Sequence, residues 1–171
     1  MIRKLRGFTL VEILVVLAIT ATLIGVGVPV SRSLIAKSRE VTCLNNLRGL
    51  GVATESYLQD HNNIMPTLML ARSSKTEDVP VIETALLEYV GSAESFHCPA
   101  DNELYKKSGS SYFWNTTQNG RLRAELYFFG NDEFPERIPL ISDKESWHPN
   151  GVNFLYADLS SSNKERFAVG N

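Results

Sequence analysis

The first 30 residues are dominated by one long apolar run. Between Phe8 and Val30 the only charged residue is Glu12, and the 18 residues from Ile13 to Val30 carry no charge. At about 1.5 Å of rise per residue this stretch makes a helix roughly 27 Å long, close to the ~30 Å hydrocarbon core of a bilayer. A short basic segment, residues 1–7, precedes it with Arg3, Lys4 and Arg6. Beyond Val30 the pattern changes. Cys43, Leu47, Leu50, Thr54 and Tyr57 recur at spacings of four, three, four and three, which is one face of a helix. Val41, Asn45, Arg48 and Glu55 fall on the other side. The pattern predicts one helix from residue 8 to about residue 61, apolar all round over 8–30 and amphipathic over 31–63. Pro29, with Gly25 and Gly27 just before it, predicts a kink or a local melting. Asn62, Asn63 and Pro66 supply stop signals.

The remainder, 64–171, reads as a separate head. A polar connector covers 72–78. Ile82, Ala85, Leu86, Tyr89 and Val90 then repeat at helical spacing and predict one short helix closed by Gly91. Short aromatic or β-branched runs at 111–115, 125–129, 138–142, 152–157 and 166–169 predict strands. Ser160, Ser161, Ser162 and Asn163 predict the turn that joins the last two. The expected fold class is α+β: a long N-terminal helix packed on a small antiparallel sheet.

Composition narrows the function. Without the apolar segment about 140 of the 171 residues remain, enough for one domain with a modest core. Residues 1–7 hold three of the 17 basic residues and none of the 19 acidic ones, so the net charge of −2 falls to −5 without them. That balance argues against broad electrostatic binding of nucleic acid. Arg3, Lys4 and Arg6 stand before the apolar run and Arg32, Lys37 and Arg39 after it, so the positive-inside rule leaves orientation open. The run itself admits three readings. A buried core helix gains nothing from a basic flank. A conventional signal peptide has an h-region of roughly 7–15 residues, shorter than this run, although residues 18–21 (AITA) offer a cleavage site. The third reading is a retained membrane anchor.

The hexapeptide Gly7-Phe8-Thr9-Leu10-Val11-Glu12 resembles the leader junction of type IV prepilins and type II secretion pseudopilins. The resemblance implies that a membrane peptidase cuts between Gly7 and Phe8 and methylates the new amine of Phe8. It places Glu12 fifth and Pro29 twenty-second in the mature chain, where the family has its Glu and, in many members, a helix-bending Pro. It implies a filament subunit of a type IV pilus or a secretion pseudopilus, not an enzyme. The implied partners are the prepilin peptidase and methyltransferase, other pilin-like subunits, inner-membrane lipid and an assembly platform. The leader would be cytoplasmic and the head periplasmic, in the membrane or in the assembled filament. Tyr57-Leu58-Gln59-Asp60 followed by Pro66-Thr67 is similar to the helix exit of major pseudopilins. His148 and Asp158 have the separation of the H-x9-D-G signature near the end of many pilin-like proteins, with Leu159 in place of its Gly. Cys98-Pro99-Ala100-Asp101 resembles a C-P-x-D segment of the same group. The alternatives are a competence-type DNA-binding pilin and a conventionally exported enzyme or binding domain.

Glu12 inside a bilayer segment is costly and calls for a partner; the amine that cleavage creates on a neighbouring subunit's Phe8 is the expected one. Cys43 on the helix stripe and Cys98 in the head form either one disulfide or two separately buried thiols. His97, Cys98 and Asp101 match no zinc spacing. Calcium is an oxygen-ligand option through Asp132, Asp143 and Asp158, but no EF-hand-type loop is present. No cofactor or metal is therefore expected. His148 and Asp158 are expected to hydrogen-bond and tie the last hairpin, since no nucleophile motif accompanies them.

Overall fold

The computed structural model describes residues 9–167, and Gly7 and Phe8 lie outside them. The chain divides into two compact units, 1–36 and 37–171. Helix α1, Leu10–Asp60, contributes to both.

In the first unit the apolar side chains of α1 are exposed among the described residues. Leu10, Leu23 and Val26 are 77 %, 67 % and 68 % exposed. The few hydroxyls among them satisfy themselves: Thr20 Oγ1 donates to the Val16 carbonyl at 2.9 Å and Ser31 Oγ to the Gly27 carbonyl at 2.8 Å. That is what a segment surrounded by hydrocarbon requires. The local melting expected at Pro29 does not occur, because helix continues on both sides of it. A proline removes one hydrogen bond and crowds the carbonyl four residues back. Here that residue is Gly25, which carries no side chain.

In the second unit the stripe of α1 is the spine of the core. Cys43, Leu47, Leu50, Thr54 and Leu58 are buried, whereas Val41 and Val52 are exposed. Gly51 belongs to the buried side. A Cβ there would stand 2.9 Å from Leu155 Cδ1, so glycine is what lets the sheet approach the helix closely. The helix stops where Asn62 and Asn63 turn left-handed, at φ 54° and 60°. The Asn63 N–H reaches back to the Leu58 carbonyl at 2.8 Å and satisfies one orphan of the last turn.

Four strands form an antiparallel meander in the order β1-β2-β3-β4: β1 Tyr112–Trp114, β2 Pro139–Asp143, β3 Phe154–Tyr156 and β4 Ser161–Ser162. Trp114 pairs with Ile141, Ile141 with Leu155 and Leu155 with Ser161, and a bulge lies between Pro139 and Ile141. Tyr112, Trp114, Leu140, Ile141 and Leu155 from the sheet meet Cys43, Leu47 and Leu50 from α1 and Phe96 from a connecting 3₁₀ turn in one core. The α+β arrangement of one long helix and a small antiparallel sheet is therefore the fold.

Three expected elements differ. The helix expected over 82–90 is two, α2 Ile82–Ala85 and α3 Leu87–Val90, hinged at Leu86; Gly91 closes the second at φ 70°. The run 125–129 is not a strand. It follows a 3₁₀ turn, Arg123–Glu125, and reverses at Phe129 and Gly130, both at positive φ, so that Phe128 bridges back to Asn131. The last hairpin is shifted. Ser161 and Ser162, expected in the turn, are β4 itself, and the chain reverses earlier, at Leu159 with φ 65°. Arg166 and Phe167 are not in a strand, and the rest of the expected 166–169 run lies outside the described residues.

Leu159 occupies the position where the resembling signature has Gly, and the left-handed backbone gives the reason. A branched side chain costs roughly 1–2 kcal/mol in that conformation. Leu159→Gly is expected to raise stability by up to about 1 kcal/mol, after the extra freedom glycine gives the unfolded chain. Urea unfolding of the two proteins checks this; a Gly variant less stable than the parent contradicts it.

Candidate functional site

Two constellations are candidates for function. The first is the start of α1. Thr9 precedes the helix, and its N–H and Oγ1 both donate to Glu12 Oε2, at 2.8 and 2.9 Å, while the Glu12 N–H donates to Thr9 Oγ1 at 3.3 Å. This is a capping box, two orphan donors satisfied reciprocally. The reading of the sequence missed it, although Thr-x-x-Glu before an apolar run is its signal. Among the described residues only Oε2 of Glu12 is engaged.

The second constellation joins α1 to the head. Cys43 and Cys98 form a disulfide, with Cα atoms 5.0 Å apart and a sequence separation of 55. His148 does not meet Asp158. The two flank β3, and the strand carries them to opposite ends. Instead His148 Nε2 lies 3.4 Å from Asp143 Oδ2 and 3.3 Å from Cys98 Sγ, all buried. Asp143 Oδ2 also accepts from the Asn153 N–H at 2.8 Å. Burial pushes the Asp143 carboxyl above the usual range, against the pull of His148 and Asn153. Asp143 Oδ1 and His148 Nδ1 have no hydrogen-bond partner among the described residues. Asp158 closes its own turn, accepting from Ser160 N and Oγ at 2.9 and 2.7 Å, with Arg166 at 4.0 Å.

The oxygen donors considered for calcium do not converge: Asp132 and Asp158 line one cavity of ≈650 Å³, while Asp143 is buried beside His148. His97, Cys98 and Asp101 do not converge either. His97 stacks on Tyr105, its ring centroid at 4.4 Å, and its Nε2 faces the Asp101 backbone carbonyl. The Asp101 carboxylate is saturated by Ser111 Oγ at 2.7 Å and by the N–H groups of Glu103, Leu104 and Tyr105, which cap α4, Leu104–Ser108. Ser111 Oγ in turn accepts from the Cys98 N–H at 3.0 Å, so this aspartate positions the cysteine loop.

Burial works against the charge of Asp101, but the bonds from Ser111 and the three backbone groups outweigh it and hold its carboxyl below the usual range. Its stabilisation is therefore complete above the unfolded pKa near ~4 and is lost as the pH falls through the lower folded value. Asp101→Asn is expected to cost roughly 2 kcal/mol at neutral pH and to flatten the loss of stability in acid. Urea midpoints across pH 2–7 check this; parallel curves for the two proteins contradict it.

Glu40 is a residue the sequence reading did not single out. It is buried on α1 and accepts from Asn150 Nδ2 and Asn163 Nδ2, both at 2.9 Å, with Lys37 Nζ at 3.1 Å. Burial opposes its charge, but Asn163, Asn150 and Lys37 together keep the carboxyl below the usual range. One side chain thus fastens the loops before β3 and after β4 to the helix.

Among known families, the model of the prokaryotic N-terminal methylation motif matches residues 2–28. The chain carries the prepilin signal of type IV pilins and pseudopilins, set on a long apolar helix. No curated protein and no solved structure matches the chain.

Proposed function

We propose that this chain is a structural subunit of a pilin-like filament. The carrying observation is the prepilin signal at 2–28, continuous with a helix whose apolar side chains are exposed among the described residues. Such a surface has two dry environments available, the bilayer and the cores of its neighbours' helices. The subunit waits in the membrane and moves into the filament as its helix exchanges lipid for other helices. The peptidase cuts between Gly7 and Phe8 and the Phe8 amine is methylated. Glu12 keeps Thr9 with Oε2 and offers Oε1 to the Phe8 amine of the next subunit. The disulfide fits a head on the oxidising side of the membrane. The chain works through assembly, not through catalysis.

Expression with and without a prepilin peptidase tests the reading. The enzyme is expected to shorten the chain by its first seven residues, and Gly7→Leu is expected to block the cut, because a side chain at that position keeps the backbone from entering the site. A chain of unchanged length in the presence of active peptidase overturns it.

A further inference from the structure

The disulfide has an unusual neighbour. Cys43 Sγ, Cys98 Sγ and a ring nitrogen of His148 all lie within 4.8 Å of one another, and all three residues are buried. Asp143 Oδ2 is 3.4 Å from His148 Nε2 but lies outside this group of three. Donor atoms in a tetrahedral zinc site, with metal distances of about 2.0–2.3 Å, stand roughly 3.3–3.8 Å apart. The Cys98 to His148 separation of 3.3 Å and the His148 to Asp143 separation of 3.4 Å already have that length. Asp143 Oδ1 is buried with no partner among the described residues, so the pocket holds acceptor capacity that the oxidised head leaves unused.

We propose that the reduced head is a zinc site, with Cys43, Cys98 and His148 as ligands and Asp143 beside His148 as the carboxylate nearest to the open fourth corner. Every copy passes through the dithiol before its disulfide is made. A dithiol reductant also returns it there: one of its thiolates attacks a sulfur and breaks the bond, its second thiol expels the protein cysteine, and the reductant leaves as a disulfide with two electrons fewer. Zinc then displaces the two thiol protons, and two thiolates balance the charge of the ion. The neutral imidazole gives its Nε2 lone pair, with the proton on Nδ1. Disulfide and metal exclude each other, and each fastens α1 to the loop that carries Cys98. The site does not depend on the filament role.

Cobalt and zinc titrations of the full chain in detergent, oxidised and reduced, decide the matter. The reduced chain is expected to take up one ion per chain, with the thiolate charge-transfer and tetrahedral d–d bands of cobalt, and zinc is expected to protect both cysteines from alkylation. The oxidised chain is expected to bind none. His148→Ala should weaken binding at least tenfold and shift the d–d bands, and Asp143→Asn should weaken it less. A reduced chain without thiolate charge-transfer bands overturns the proposal. So does binding that neither His148→Ala nor Asp143→Asn alters, in variants whose circular dichroism matches the parent.

Discussion

Glu12→Ala is expected to abolish filament assembly while the leader is still cut. The carboxylate does two things, and two variants separate them. It caps its own helix through Thr9, and in the proposed assembly it presents a charge to a neighbour's amine inside an apolar bundle. Losing a cap costs about 1 kcal/mol. Removing one partner of a buried ion pair costs roughly 3–5 kcal/mol, more than a hundredfold at each subunit contact. The charge therefore dominates. Glu12→Gln keeps an acceptor that serves a capping box but removes the charge. Both variants should fail to assemble, and counts of sheared filaments alongside blots for the cut chain check it. Normal filaments from Glu12→Gln would mean that capping is the whole role.

The second large effect belongs to the head. Replacing Cys43 and Cys98 together by Ser is expected to remove about 4 kcal/mol, the chain-entropy value for a loop of 55 residues. Domains are stable by only ~5–15 kcal/mol, so this is a large share. For a unit of this size it corresponds to a midpoint lower by roughly 10–20 °C. Thermal unfolding of the parent and the double variant checks it. A shift of under about 1 kcal/mol would show that the core holds the helix to the sheet without the bridge.

What was legible in the chain follows from how far each signal reaches. Helix α1 announces itself through 18 uncharged residues and then a stripe repeated over several turns. The stripe extends one turn further back than its apolar members. Glu40 stands three residues before Cys43 on the same face, and its charge hid it. Only the folded chain supplies the two asparagines that make its burial tolerable.

Short strands were harder because β-propensity reports packing on a neighbour that local sequence does not name. The run 125–129 has the composition of a strand, yet Phe129 at φ 48° begins a tight reversal, and nothing in its side chain advertises that backbone. Ser161 and Ser162 have the composition of a turn, yet they pair with Leu155 and Phe154 because Leu159 has already reversed the chain. The expected tie of the last hairpin through His148 and Asp158 is not made, and His148 lies against Asp143 and Cys98 instead. A separation along the chain does not say on which side of a strand two residues emerge, and Asp143, at the end of the preceding strand, is the carboxylate within reach.

The most direct test of a retained, polymerising helix is the intact mass and N-terminal sequence of the natural protein taken from the membrane fraction. A chain beginning at Phe8, one methyl group heavier than its sequence and still carrying the whole apolar segment, is the expected result. A chain beginning after Ala21, freely soluble and unmethylated, would contradict it.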